Sequence, residues 1–338
     1  MAERVTIKQV ANKLGVSMMT VSRALNNRPN VDEKTKKRVM ETAREMGYIQ
    51  NHIAKSLVQK RTFTVGIVVP EITHSFFPDA IKGMEEVINL AGYQIIFTHS
   101  AEDSKKEVAA IETLASKRVD GILISMAESV RDFSIYKQII NMKLPIVFFD
   151  RCVHNLGASC VGINDDESSF NITEYLVKKG YSKIAHLAGP TTISIGRERL
   201  NGYKRALLNS NIEVKDEYIK IAGLHETGGY EAMKELLSSP SDQLPEAVVC
   251  VNDPCAFGAM NAIKEAGLKI PEDIAVVGFT DDIRANLVTP SLTTIKQPAY
   301  EIGRKAAEKL IAHIENDSEP VEDIYLATEI VERKSTGI

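Results

Sequence analysis

Apolar residues in the first fifty positions recur at the three- and four-residue spacing of helices that bury one face. Thr6 is a candidate N-cap for a helix over 7–14, and Ser17 is a candidate N-cap for a second helix over 18–26. A third helix begins after Asp32 and ends near a glycine. The pattern predicts three short helices that share one small core, with a tight turn between the first two.

Beyond residue 64 the pattern changes to short apolar runs that alternate with longer amphipathic stretches. The apolar runs predict strands at 64–69, 93–97, 121–125, 145–149, 183–188, 247–251 and 274–279. The amphipathic stretches predict helices at 78–91, 105–117, 166–179, 197–210, 227–238, 254–266 and 299–316. This alternation is typical of parallel sheets with helices on both faces. The length favours two α/β halves, with a boundary near 161–165 and a return near 288–296.

Charge is unevenly distributed along the chain, which has 338 residues and a net charge of −4. Residues 1–61 contain 13 Lys and Arg against 5 Asp and Glu, a net charge of +8, whereas the rest carries −12. A basic head on an acidic body indicates that the head binds a polyanion, although a solvated basic face is the alternative. Because there is no long apolar run and no signal-like start, we expect a cytoplasmic protein with no membrane contact.

Four cysteines are spread along the sequence, at Cys152, Cys160, Cys250 and Cys255. None forms a CxxC pair or lies near histidines at the spacing of zinc ligands. We therefore expect four reduced thiols in the core, no metal site and no cofactor.

The segment 16–26, which reads VSMMTVSRALN, resembles the recognition helix of the lac repressor family, where V-S-x-x-T-V-S-R-x-L-N is characteristic. Such a helix buries one face and presents its N-terminal residues to base edges in the major groove. Arg23 can donate two hydrogen bonds to a guanine, whereas hydroxyls suit phosphates, and a surface salt bridge of Arg23 is the alternative. The predicted DNA contacts are Thr6, Ser17, Met18, Met19, Thr20, Ser22, Arg23 and Asn26.

The following segment, GYIQNHIAKSLVQKRT, resembles the hinge of the same family. The resemblance implies DNA contacts from Asn51, Ala54, Lys55 and Leu57, with Leu57 as a wedge in the central minor groove. A leucine inserted between base steps unstacks and kinks the duplex. The alternative is a plain linker in which Leu57 packs against the body.

The remainder of the chain resembles the effector domain of that family. The resemblance implies an all-α helix-turn-helix headpiece plus an α/β periplasmic-binding-protein-like (type I) effector domain of two lobes with parallel sheets. The predicted domains are a headpiece over 1–50, a hinge over 51–62 and an effector-binding and dimerisation domain over 63–338. The N-lobe is expected over about 63–162 and 290–320, and the C-lobe over about 163–289 and 321–338.

Candidate effector contacts follow from the rule that ligands bind beyond the carboxyl ends of parallel strands. Strand ends and one segment that resembles the family's effector contact, SIGRERLNGY, supply His74, Phe76, Phe77, Asp150, Arg151, Arg199, Asn252 and Asp281. Carboxylates, an amide, arginines and aromatic rings in one cleft suit a polyhydroxylated or heterocyclic ligand. The alternative is that individual aspartates only cap helices. Thr280 stands where the family often has the first aspartate of G-F-D-D, which leaves the effector class open.

The sequence predicts a transcriptional regulator, a repressor, that binds a palindromic operator in double-stranded DNA as a homodimer, with a tetramer as the alternative. An enzyme is disfavoured because G-x-S-x-G, H-E-x-x-H, the P-loop motif and any GxG pair are absent, so no catalytic residue is assigned. A free ligand-binding protein for transport is disfavoured as well, because it would need an export signal and would not need a basic N-terminal segment. The expected effector is a sugar or sugar phosphate, then a purine, and a phosphocarrier protein is a third candidate for control.

Overall fold

A computed structural model describes residues 5–26, 29–48, 61–316 and 318–337. The chain divides into two compact units, Met1–Thr62 and Phe63–Ile338. No helix in these described ranges is both long and apolar enough to cross a membrane. The segment predicted as the hinge, with Asn51, Ala54, Lys55 and Leu57, lies outside the described residues except for its last two positions.

The first unit contains three helices at the predicted places: α1 (Ile7–Leu14), α2 (Met18–Leu25) and α3 (Glu33–Glu45). Each begins at a polar side chain that accepts a hydrogen bond from a backbone N–H of the first turn. The residue after α1 is Gly15, whose φ of 69° is the left-handed conformation that glycine adopts without steric cost. The shared core is built from Val10, Ala11, Val21, Ala24, Val39 and Ala43.

The second unit contains two six-stranded sheets, which define an N-lobe and a C-lobe. The N-lobe strands are β1 (Thr64–Val69), β2 (Gln94–His99), β3 (Gly121–Ile124), β4 (Ile146–Phe149), β5 (Ser159–Ile163) and β11 (Asp323–Leu326), in the spatial order β11-β5-β4-β3-β1-β2. The C-lobe strands are β6 (Ile184–Ala188), β7 (Ile219–Ile221), β8 (Ala247–Cys250), β9 (Ala275–Thr280), β10 (Thr293–Lys296) and β12 (Glu329–Val331), in the order β12-β10-β9-β8-β6-β7. All pairs are parallel except β10 with β12.

Helices cover the faces of both sheets, as the alternating pattern predicts. They are α4 (Phe76–Leu90), α5 (Ser104–Ser116), α6 (Ser134–Asn141), α7 (Asp165–Lys178), α8 (Ser194–Asn209), α9 (Glu226–Leu237), α10 (Asp253–Glu265) and α11 (Ala299–Glu315). Three pairs pack most extensively against each other: α4 with α11, α7 with α8, and α9 with α10. The central strands β3, β4 and β8 are buried along their whole length, which explains their continuous apolar sequences.

The predicted lobe boundaries were wrong in two places near the end of the chain. β10 lies within 290–320 but pairs with β9, where Thr293 is opposite Val277, so it belongs to the C-lobe. β11 lies within 321–338 but pairs with β5, where Asp323 is opposite Cys160, so it belongs to the N-lobe. Both strands are only four residues long, and their sequences, TTIK and DIYL, carry too little apolar pattern to be recognised.

The expectation of four reduced thiols was also wrong. Cys152 and Cys160 form a disulfide, whereas Cys250 and Cys255 are free and buried. The eight-residue separation of the bridged pair gives no CxxC signal. The pairing arises because Cys152 follows β4 and Cys160 lies on the adjacent strand β5.

We predict that a methyl group at either glycine of the α4–α11 crossing destabilises the N-lobe. A Cβ at Gly83 would overlap the carbonyl oxygen of Tyr300, and a Cβ at Gly303 would overlap that of Ala80. Gly83→Ala and Gly303→Ala should each lower the free energy of unfolding by about 1–3 kcal/mol in urea titrations, because the helices must separate. The exposed Lys82→Ala variant on α4 is the control, and a matching small change in all three variants would contradict the close crossing.

Candidate DNA-binding and effector-binding sites

Helix α2 of the first unit has one buried and one exposed face. Val21 and Ala24 are at most 2% exposed, whereas Met18 and Met19 are 52% and 63% exposed. Arg23 is exposed, and no described residue pairs with it. Large apolar side chains in water beside an exposed cation are characteristic of a surface that binds another molecule.

The hydroxyl and amide groups of the same helix have local partners. The hydroxyl of Ser17 accepts from the backbone N–H of Thr20 at 3.0 Å, and Asn26 Nδ2 donates to the carbonyl of Ser22 at 2.8 Å. Thr6 forms a reciprocal cap with Gln9, in which Thr6 N donates to Gln9 Oε1 at 2.7 Å. Thr6 and Ser17 therefore fix the two helix starts and Asn26 lies at the end of α2, so any phosphate contact they make is additional to these roles.

The N-lobe wall of the cleft is centred on the end of β4. Arg151 Nη1 donates to both carboxylate oxygens of Glu102, at 2.8 and 2.9 Å, and its guanidinium carbon lies 5.8 Å from the centre of the Phe77 ring. The Asp150 side chain is 8% exposed, and its carboxylate lies 3.8 Å from Arg151 Nε. Burial raises the pKa of Asp150 to about 6, although the charges of Arg151 and Arg199 oppose this shift.

On the C-lobe side, Arg199 lies on α8 and is almost fully buried. Its Nε donates to Asp165 Oδ1 at 2.7 Å and its Nη1 donates to the Val251 carbonyl at 2.6 Å. The guanidinium carbon lies 3.6 Å from the centre of the Phe279 ring. Burial raises the pKa of Asp165 although Arg199 pulls in the opposite direction. Arg199 therefore neutralises a buried carboxylate, in addition to any contact with a ligand.

Two further candidates have structural partners. Asn252 caps α10, because its Oδ1 accepts from Cys255 N at 2.9 Å while its Nδ2 donates to the Leu224 carbonyl at 2.8 Å. Asp281 accepts from Arg333 Nη2 at 2.6 Å. Asn252 is thus a helix cap, as the alternative supposed for strand-end aspartates, whereas Asp281 forms an ion pair instead of a cap.

The aromatic candidates follow β1 at the start of α4. Phe76 and Phe77 are 6% and 3% exposed, and their rings meet edge to face at 5.3 Å. His74 lies 3.0 Å from a Glu71 carboxylate oxygen. Burial alone would raise the pKa of Glu71, but hydrogen bonds from His74 and Thr73 lower it to about 2. This carboxylate is therefore ionised and fixes the turn that carries His74.

Among the described residues, the contacts between the two lobes across the cleft include two hydrogen bonds and one pair of rings. Ser75 Oγ donates to Asp282 Oδ2 at 3.2 Å, and Thr192 Oγ1 donates to the Glu128 carbonyl at 3.2 Å. The rings of His74 and His225 lie 5.4 Å apart. The carboxyl ends of both sheets thus face each other, and small polar ligands of α/β proteins bind at such a place.

Several buried polar atoms at this place have no hydrogen-bond partner among the described residues: Ser125 Oγ after β3, Arg151 Nε after β4, Ser194 Oγ at the start of α8, and Gln297 Nε2 after β10. An enclosed polar group without a partner costs free energy that a ligand's hydrogen bond removes. Among the described residues, no group of three or more His, Cys, Asp or Glu side chains could hold a metal ion.

Comparisons with known proteins agree with both halves of this description. The family model for bacterial regulatory proteins of the lacI family matches residues 6–51, and the periplasmic binding protein-like domain matches 173–336. The probable HTH-type transcriptional repressor ExuR of Bacillus subtilis (strain 168) is 36% identical over 98% of this chain and 98% of its own length. The chain belongs to the lacI family.

Solved structures of lacI-family proteins share the fold. The lac repressor dimer bound to operator and the anti-inducer ONPF is 25% identical, covers 99% of each chain and has a TM-score of 0.87. The complex of the transcriptional regulator CelR with cellobiose is 29% identical, with a TM-score of 0.74 over 98% of this chain and 100% of that one. The resemblance and the fold class predicted from sequence are confirmed. This lacI-family chain is a DNA-binding transcriptional regulator and not an enzyme.

Several residues that surround the candidate site were not predicted from the sequence. Glu102 and Asp165 form ion pairs with the two predicted arginines, and Ser125 directly follows a strand that was recognised. The strand-end rule could have found Ser125. Asp165 was not found because the strand before it was not recognised, and Glu102 because its partner Arg151 is 49 residues away in sequence.

We predict that Arg199→Met lowers the free energy of unfolding by about 3–5 kcal/mol, because it leaves the Asp165 carboxylate buried and unpaired. Asp165→Asn combined with Arg199→Met should recover most of that loss. Arg205→Met is the matched control on the same helix, since its pairs with Asp166 and Glu167 are exposed and contribute about 0–1 kcal/mol. Equal losses at the two arginines, measured by urea unfolding, would contradict the structural role of Arg199.

Proposed function

We propose that this chain is a cytoplasmic repressor that binds a near-palindromic operator as a homodimer and responds to a neutral sugar in the cleft between its lobes. The observation that carries the effector half is the set of enclosed, unpartnered polar atoms at the strand ends. The observation that carries the DNA half is the exposed recognition face of α2 on a basic head. A tetramer and control by a phosphocarrier protein stay predictions from the sequence.

Arg23 is the proposed base-reading residue. Its guanidinium can form a bidentate contact with guanine O6 and N7, whereas Met18 and Met19 suit thymine methyl groups. Thr6, Ser17, Thr20, Ser22 and Asn26 would contact the phosphates that position the helix. Leu57, with Asn51, Ala54 and Lys55, is proposed for the central minor groove.

Arg23→Ala should weaken binding to an operator selected from random DNA by about 1–3 kcal/mol and relax selectivity at one base pair of each half-site. Arg23→Lys keeps the positive charge but loses the planar fork, so it should lose selectivity as well. Fluorescence anisotropy on the selected operator and on scrambled DNA measures both effects. An equal loss on the two DNAs would assign Arg23 to a phosphate.

The homodimer is supported by exposed apolar side chains on the C-lobe. Ile283 and Leu287, which are 76% and 75% exposed, follow β9 on a short helical turn. Large apolar side chains that cluster at the surface favour burial against another protein surface. A two-fold dimer places the same patch on both subunits and matches a two-fold operator.

Ile283→Asp combined with Leu287→Asp should raise the dimer dissociation constant by about tenfold or more, because two charges would be buried at the interface. Leu208→Asp is the matched control, since Leu208 is 64% exposed on α8 outside the proposed patch. Sedimentation velocity over a concentration series measures the monomer–dimer equilibrium. A double variant as dimeric as wild type would rule out this patch.

The charges of the cleft favour a neutral ligand. Arg151 is paired with Glu102, Arg199 with Asp165, and Arg333 with Asp281. Each of these three positive charges is therefore already balanced by a carboxylate, so none of them favours an anionic ligand. Asp150 can accept hydrogen bonds from ligand hydroxyls, and the Phe76 and Phe77 rings can contact an apolar sugar face. This argues for a sugar over a sugar phosphate, and a purine is the second candidate.

A thermal-shift screen of neutral sugars, sugar phosphates and nucleobases tests the ligand class, and Asp150 gives it a pH signature. If ionised Asp150 accepts ligand hydroxyls, affinity should be constant above about pH 7 and fall as pH drops below the pKa of about 6, because protonation removes an acceptor. Asp150→Asn should bind more weakly and lose this dependence in calorimetric titrations. Stabilisation by sugar phosphates alone would contradict the neutral class.

A further inference from the structure

The Cys152–Cys160 disulfide lies on the loop that carries two residues of the cleft. Cys152 directly follows Asp150 and Arg151, and Cys160 pairs with Phe148 of the adjacent strand. The Cα atoms of the two cysteines are 5.9 Å apart. The bridge therefore fastens the end of β4, where the N-lobe wall of the cleft is built, to β5.

The backbone at Asp150 has an unfavourable conformation that requires a structural constraint. Asp150 has a φ of 60°, a left-handed conformation that costs free energy for any residue with a side chain, although aspartate tolerates it better than most. Such a conformation persists only where the surrounding structure imposes it. The non-covalent constraints on the backbone of this segment are hydrogen bonds from Asp150 N to the Val161 carbonyl at 3.0 Å, from Arg151 N to the Phe149 carbonyl at 2.7 Å and from Met126 N to the Arg151 carbonyl at a long 3.4 Å. The Arg151 side chain is held by Glu102, so the disulfide is the covalent tie added to this network.

We propose that Cys152 and Cys160 form a thiol–disulfide modification site whose state sets the order of the Asp150–Arg151 segment and so regulates the cleft. This regulation rests on the proposed effector function. Disulfides are rare in a compartment where glutathione and thioredoxin keep thiols reduced, and those that form there usually respond to redox conditions. A dithiol is the reductant, and glutathione disulfide is the oxidant.

The exchange balances in two steps. A thiolate of the dithiol attacks Cys152 Sγ, the bond to Cys160 Sγ breaks, and Cys160 leaves as a thiolate that takes up a proton. The second sulfur of the dithiol then closes its own disulfide and expels Cys152, which is also protonated, so two electrons and two protons reach the chain. Attack begins at Cys152 because it is 7% exposed, against 2% for Cys160. Glutathione disulfide reverses the change and yields two glutathione molecules.

The test uses the full-length chain in buffers that range from a reducing dithiol to oxidising glutathione disulfide. Alkylation and mass spectrometry should find both cysteines alkylated after reduction and bridged after oxidation. Hydrogen exchange of a peptide over 149–153 should be about tenfold or more faster in the reduced state, because the left-handed turn loses its covalent tie. Exchange in the headpiece peptides should not change.

Two variants sharpen the result. Cys152→Ser should exchange like the reduced chain in every buffer, whereas Cys255→Ala, which alters a buried free thiol, should keep the redox response. If a variant does not fold, the comparison between wild-type buffers still decides. Cysteines that stay reduced in oxidising buffer, or exchange that is equal in both states, would overturn the proposal. Neither readout needs DNA or a ligand, so failure of the proposed function would appear separately.

Discussion

The arrangement of the larger unit depends on the chain crossing between two sheets three times. The crossings lie between β5 and α7, between β10 and α11, and between β11 and β12. Each crossing keeps the carboxyl ends of the strands in one sheet turned toward those of the other. Polar side chains that follow β3, β4 and β9 therefore meet in one place, although they are far apart in sequence. The cleft is a consequence of this topology rather than of any local motif.

The helices and strands that could be predicted from the sequence are those determined by residues close together in the chain. The three headpiece helices were predicted with their caps because Thr6, Ser17 and Asp32 act on the turn that directly follows them. Central strands were predicted because burial on both faces requires continuous apolar sequence. β7, β10, β11 and β12 were missed, since strands of three or four residues at or near a sheet edge are mixed in character. β5 was missed too, because its sequence SCVGI includes a serine and a glycine. The helix Ser134–Asn141 was missed as well, because it is only eight residues long and begins without a side-chain cap.

The candidate cleft was predictable only in part, because its electrostatics depend on partners brought together by the fold. The rule of strand ends led to Asp150 and Arg151, but nothing near them in sequence indicates Glu102. Arg199 was expected to face a ligand, and its ion pair with Asp165 gives it a stabilising role that sequence spacing does not reveal. Residues of this cleft thus support the fold and shape the site together, so variants that test binding must be chosen with their partners.

The late position of β11 has a consequence for how the protein is made. β11 pairs with β5 and completes one edge of the N-lobe sheet, yet all of β6 to β10 lies between them in sequence. During synthesis, β1 to β5 therefore leave the ribosome long before β11 does. Until then the edge of β5 offers unpaired backbone groups, which are prone to pairing with another nascent chain. The headpiece, a contiguous segment at the start, is free to fold while the rest is still being synthesised.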